Sequence, residues 1–277
     1  MAKDLIVNVE SHSMDAVPSY LSNHVGGGME SLDTTDFQIP RIKLLQPMSP
    51  ECQVEDGPRP GQFFHAGSNK ALGKSLKFIP AVVSKRVILW EPTKTGNGKL
   101  LAFSSDGKLW NSGGNAKFDV TLKDDTKATW NTGRGVSDSG LLNWGSSNPK
   151  NEKSAPAATL VYEYCCYLPE YPELSPCLIG AYKTSLAPAK KLNTAMLGTR
   201  KPAFSIIVQA NIKSIPAGNS VYYSPTYNLV GYAAEKDFKI AKELHERYSN
   251  ISVNVSNYSD AVEHATNDIG LDDEVPF

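Results

Sequence analysis

The chain is poor in the side chains from which metal centres and nucleophilic sites are usually built. Its 277 residues include five histidines and four cysteines, and no CxxC spacing occurs. Without that knuckle a structural zinc site lacks its usual frame. Cys52, Cys165, Cys166 and Cys177, with His65, could in principle supply ligands. Neighbouring strand residues point to opposite faces, however, so Cys165 and Cys166 could not both reach one ion without a bend. Buried small apolar residues account for them better, and their adjacency argues against a secreted disulfide framework. Three histidines, His12, His24 and His264, fall in segments expected to be mobile, and His245 is expected on a helix surface, so a hydrolytic triad has little material. The segment from Thr93 to Leu100 has neither the first glycine nor the final Ser or Thr of a phosphate-binding loop. Asp124-Asp125 and Asp272-Asp273 are adjacent acids in polar stretches, where solvated charge is a better account than a two-metal centre. No apolar run reaches the length of a membrane span, and the run after Met1 is too short for a signal peptide. The sequence therefore leads us to expect a cytoplasmic protein with no cofactor, no metal, no membrane association and no catalytic residues.

What is present is an uneven distribution of charge. The formal net charge is -1, yet residues 251–277 hold six acids and no Lys or Arg, and residues 1–33 hold five acids against Lys3. The remaining 27 basic and 18 acidic side chains give residues 34–259 a charge of +9. A basic body between acidic ends suits a body that meets a polyanion and a tail that meets something else.

The organisation we expect is a mobile arm over 1–33, in which a short helix could form around Asp15 to Asn23, a folded region over 34–250, and an acidic tail over 251–277. Order should begin near Phe37 to Gln46. Ser75 to Trp90 is rich in β-branched and aromatic residues, and Pro80 cannot donate to a ladder, so this is one long strand bulged there or two strands. Leu100 to Phe103, a turn at Asp106-Gly107 and Leu109-Trp110 suggest a hairpin. Residues 111–156 read as a long polar loop, unusual in retaining Trp130 and Trp144. Strands are expected over Ala158 to Leu168 and over Cys177 to Leu186. A helix capped by Ser185 should then run to about Leu197, with Leu192, Ala195 and Met196 inward and Gly198 as its stop. Phe204 to Ile212 and Val221 to Leu229 form a further strand pair. Phe238, Ala241, Leu244 and Tyr248 recur at helical spacing over Ala233 to Ser249, supported by Glu235 with Lys239 and Glu243 with Arg247. The class is mainly β with two helices in the C-terminal half.

Single-stranded nucleic acid is held by a basic groove along the phosphates and by flat side chains on which bases stack, each stacked base contributing about 1 to 3 kcal/mol. The basic body repeatedly offers such pairings: Lys85-Arg86 before Trp90, a lysine before Trp110, Trp130 followed by Arg134, Trp144, Tyr182-Lys183, Lys190-Lys191 and Arg200. Singly each pairing is explained as well by core aromatics and solvated lysines. Trp90 in particular suits a core, whereas Trp130 and Trp144 suit a ligand-facing or loop-packing role.

The chain ends Asp272-Asp273-Glu274-Val275-Pro276-Phe277. Proline keeps this end extended, Phe277 supplies one apolar anchor, and the carboxylates offer charge-assisted hydrogen bonds, as in a docking peptide. It resembles the acidic tip of bacterial single-stranded-DNA-binding proteins, with Glu274 and Val275 as conservative departures. The body, with Ile39-Pro40-Arg41-Ile42-Lys43-Leu44-Leu45 and Tyr222-Tyr223-Ser224-Pro225, resembles phage-encoded replication proteins of this class. That resemblance implies an OB-fold, a Greek-key barrel whose strand face and loops hold the strand. It also implies a protein that coats single-stranded DNA during replication or recombination and recruits partner proteins through Asp272 to Phe277. Self-association is open. The alternatives are a non-catalytic virion or protein-interaction protein, and a DNA-processing nuclease.

Overall fold

The computed structural model describes residues 38–92, 98–218 and 220–249. The arm, the helix expected at Asp15 to Asn23 and the acidic tip lie outside them.

Most of the fold is one nine-stranded sheet. Its backbone is β4 (Ser75–Trp90), a 16-residue strand that stays in one piece because a bulge between Pro80 and Val82 absorbs the missing proline donor. Over Ser75 to Phe78 β4 pairs antiparallel with β10 (Ile206–Ala217), and from Ile79 to Leu89 with β8 (Ala158–Tyr167). The order across the sheet is β11 (Ser220–Tyr232), β10, β4, β8, β9 (Cys177–Tyr182), β1 (Arg41–Leu44), β2 (Phe63–His65) and β3 (Lys70–Gly73). β1 runs parallel to β9, while β5 (Leu100–Ser104) pairs with the end of β4. The hairpin expected between β5 and Leu109-Trp110 is thus replaced by pairing back onto β4. Asp106 makes the intervening turn, its Oδ1 accepting N–H bonds from Lys108 at 2.7 Å and Leu109 at 3.1 Å, which hold its carboxyl below the usual range.

The sheet is curled, and one side chain stitches the curl. Gln46, just past β1, donates from Nε2 to the carbonyl of Tyr223 in β11 and accepts the Tyr223 N–H on Oε1, both at 2.9 Å. This amide stands in for a strand at the point where β1 meets the sheet's far edge. The Tyr223 ring lies so close to Gly61, which has φ +73, that a Cβ there would sit 2.7 Å from a ring carbon.

Inside the curl pack Ile42, Phe63, Leu76, Phe78, Tyr164, Cys166, Ile179 and Val208. The helix α2 (Leu186–Gly198) closes this core with Ala189, Leu192 and Met196, while Ala195, expected inward, is exposed. Ser185 does not cap it. Its Oγ accepts the Tyr182 N–H at 2.8 Å and donates to the Tyr182 carbonyl at 2.7 Å, so residues 183–185 form a 3-10 turn first. On the opposite face α3 (Glu235–Tyr248) covers Ile79, Ala81 and Tyr167 with Ala241 and Leu244. His245 is not the surface residue expected of it: its Nδ1 lies 2.9 Å from the Ala81 carbonyl, and its ring lies 5.0 Å from that of Phe204.

Residues 111–156 are a built unit rather than a plain loop. The hairpin of β6 (Lys117–Thr121) and β7 (Lys127–Asn131), followed by the four-residue α1 (Val136–Ser139), packs Val120, Leu122, Trp130, Val136 and Leu141 against Val87, Leu89 and Ala102 of the main sheet. Among the described residues no helix is long and apolar enough to cross a membrane.

Candidate nucleic-acid interface

Strand alternation divides the expected site residues between two faces of the sheet. On β8, Tyr164 and Cys166 point into the main core, so Val161, Glu163 and Cys165 point away from it, level with Leu178 of β9. All four are buried, Glu163 to 2% exposure. A charged triad occupies the middle of this face. Arg41 Nη2 donates to Glu163 Oε1 at 2.7 Å, and Arg86 Nε lies 3.0 Å from Oε2. Arg41 reaches across β9 at Gly180, where a Cβ would stand 3.5 Å from its Nη1. Two guanidiniums thus meet one buried carboxylate, whose charge is compensated where water does not reach it. Arg86, expected as a phosphate contact, is therefore engaged in the fold, whereas its neighbour Lys85 is exposed, with its aliphatic stem against Gly107.

The four indoles have three different environments. Trp110 and Trp130 are 5% and 4% exposed within the core of the 111–156 unit, so they offer no open ring face. Trp90 is half-buried and shares a small cluster with Phe103 and Tyr182 on Ile88 and Val161. Trp144 is 58% exposed. It sits on a firmly bonded loop: Gly145, at φ +85, donates to the Ser154 carbonyl at 2.7 Å, and Ser146 Oγ bridges the Leu141 carbonyl and the Ala157 N–H at 2.9 Å each. An exposed indole on such a loop can stack on a flat ligand with the backbone beneath it already ordered. Arg134, in the same unit, is also exposed.

The remaining expected residues gather on α2. Tyr182 ends β9, Lys183 follows at φ 48, Lys190 and Lys191 are exposed on the helix, and Arg200 follows it at φ 54. The helix is anchored from below by the Tyr164 hydroxyl, which donates to Asn193 Oδ1 at 2.8 Å. Lys201, beside Arg200, is exposed too, whereas sequence reasoning missed Lys213, also exposed, and the signal that singles these residues out. Residues 175–234 contain no Asp or Glu and six basic residues, Lys183, Lys190, Lys191, Arg200, Lys201 and Lys213. That run spans β9, α2, β10 and β11.

Buried thiols and phenols complete the picture. Burial pushes the Cys165 thiol up to about 12 and raises Cys166, Cys177, Tyr164 and Tyr227 as well, so these groups stay protonated and unreactive. No cluster of metal-ligating side chains occurs among the described residues. Compared with known proteins, residues 10–254 match a family model described as Pam3 phage gp34-like protein. No curated protein and no solved structure matches the chain.

Proposed function

The chain belongs to the Pam3 phage gp34-like protein family, and from that premise we propose that it binds single-stranded DNA without catalysis in the host cytoplasm. Charge distribution carries this reading: the folded part has a surplus of nine basic side chains, and six of its exposed ones fall in a stretch without a single acid. A polyanion is the ligand that such a surface selects. Connectivity supports an OB-like barrel. A long bent first strand, β4, pairs with both the second strand, β8, and the fourth, β10; α2 lies between the third and fourth; and β10 and β11 close as a hairpin. β1 is then an added sixth strand between β9 and β11, and the 111–156 unit occupies the first inter-strand loop, one of the two loops that take part in ligand binding in this fold. The exposed Trp144 lies in that loop.

On this reading Asp272 to Phe277 recruits replication or recombination proteins, the carboxylates meeting basic residues and Phe277 an apolar pocket. Filter binding of a labelled oligonucleotide tests the proposal. Retention that falls steeply with salt and prefers single strands over duplex supports it. Magnesium-dependent loss of the oligonucleotide would point instead to a processing enzyme, and no retention at low salt to a protein-interaction role.

A further inference from the structure

Resting on the single-strand reading above, we infer that the phosphate backbone runs over α2 and its two flanks, not over the sheet face that OB barrels ordinarily use. In such barrels the second and third strands present that face. Here those strands are β8 and β9, and the side they turn away from the core is closed: Val161, Glu163, Cys165 and Leu178 are all buried. Its arginines are engaged with Glu163 rather than turned to solvent.

The α2 side has the opposite character. Lys190, Lys191, Arg200 and Lys201 are all exposed, within a run of sequence that contains no Asp or Glu. Lys190, Lys191, Arg200 and Lys201 form no ion pair among the described residues, whereas Lys43, Lys70, Lys77, Lys239 and Lys242 each do. The outward surface of the helix is mostly small, with Ala187, Thr194, Ala195 and Gly198 exposed beside one large side chain, Leu197, which is 81% exposed and offers a sugar or base an apolar contact. Both ends of α2 place a basic residue, Lys183 and Arg200, in the left-handed backbone region where glycine would cost less. The thirteen residues of α2 extend roughly 20 Å, room for a short run of nucleotides. Tyr182, half-buried beside Trp90, stands where the strand would enter.

The test compares three charge-reversed full-length proteins with the parent, using a labelled single-stranded oligonucleotide across a salt series. Each must first melt like the parent. For Lys190→Glu with Lys191→Glu the affinity at low salt should fall at least about tenfold, and the log-log salt slope should flatten by about 1.4, about 0.7 per neutralised phosphate. The same charge change at Lys236 and Lys242 on α3 should stay within about twofold. If the α2 variant binds like the parent while Lys150→Glu with Lys153→Glu loses affinity, the placement is wrong and the single-strand reading survives. If the parent itself fails to bind, both fall. The α2 reversal is repeated in a chain carrying Asp272→Asn, Asp273→Asn and Glu274→Gln. Loss of its effect there would show that the acidic end, not nucleic acid, occupies this surface, and would overturn the inference.

Discussion

Glu163 is the residue on which one face of the sheet turns. With Arg41 at 2.7 Å and Arg86 at 3.0 Å, its carboxylate engages two guanidiniums at once. Replacing it by glutamine keeps the shape but leaves the two cations facing each other, so Glu163→Gln should cost about 3–5 kcal/mol, read as a lowered urea midpoint with an unchanged slope. An unchanged midpoint would show that the triad is solvated. Trp144 makes a sharper prediction for binding. It is the one indole more than half exposed, so a single-stranded oligonucleotide should quench intrinsic tryptophan emission, and Trp144→Phe should remove most of that quenching. Persistent quenching in the variant would move the stacking to Trp90. None of the triad was legible from sequence. Arg41 and Glu163 are 122 positions apart, and only the curl of the sheet brings them together.

At the scale of elements, legibility follows how much a local pattern decides on its own. β4 was readable to its ends because Ser75–Trp90 is dense in β-branched and aromatic residues, with Pro80 marking its bulge. α3 was readable from its spacing, and Glu235 does meet Lys239, although the second ion pair along it is Lys242 with Glu246 rather than Glu243 with Arg247. The start of α2 was misread because the Ser185 hydroxyl had a nearer backbone partner in Tyr182. The β6 and β7 hairpin was missed because each strand is five residues long and polar on one face. The alternation of Phe118 with Val120 and of Ala128 with Trp130 was nevertheless there to be found. How the sheet closes was not readable at all, since a glutamine side chain does the work of a strand. Gln46→Ala removes both bonds to Tyr223 and should cost about 1–3 kcal/mol. Amide exchange at Tyr223 should quicken by more than the global loss of stability accounts for. Uniform quickening would mean that the clasp is incidental to the curl.

For the whole molecule, the division is between an apolar core that keeps its thiols and phenols neutral and a basic surface that includes one long run of sequence without an acid. The core predicts the response to alkali. Cys165 rises to about 12 from an ordinary thiol value of 9.0, and Cys166, Cys177, Tyr164 and Tyr227 rise with it. Groups that hold their protons more tightly when folded contribute stability that is intact below the unfolded values and lost as pH climbs towards the folded ones. The urea midpoint should therefore be level to about pH 8 and fall progressively from about pH 9 upward. A midpoint level to about pH 10.5 would contradict their burial. The surface predicts the function. The measurement that tests it most directly is a fluorescence-anisotropy titration of the full chain against a labelled single-stranded oligonucleotide and its duplex, at several salt concentrations. The account predicts tighter binding of the single strand and an affinity falling with salt at a log-log slope of about -0.7 for each phosphate neutralised. Affinity indifferent to salt, or equal for the two forms of DNA, would contradict it.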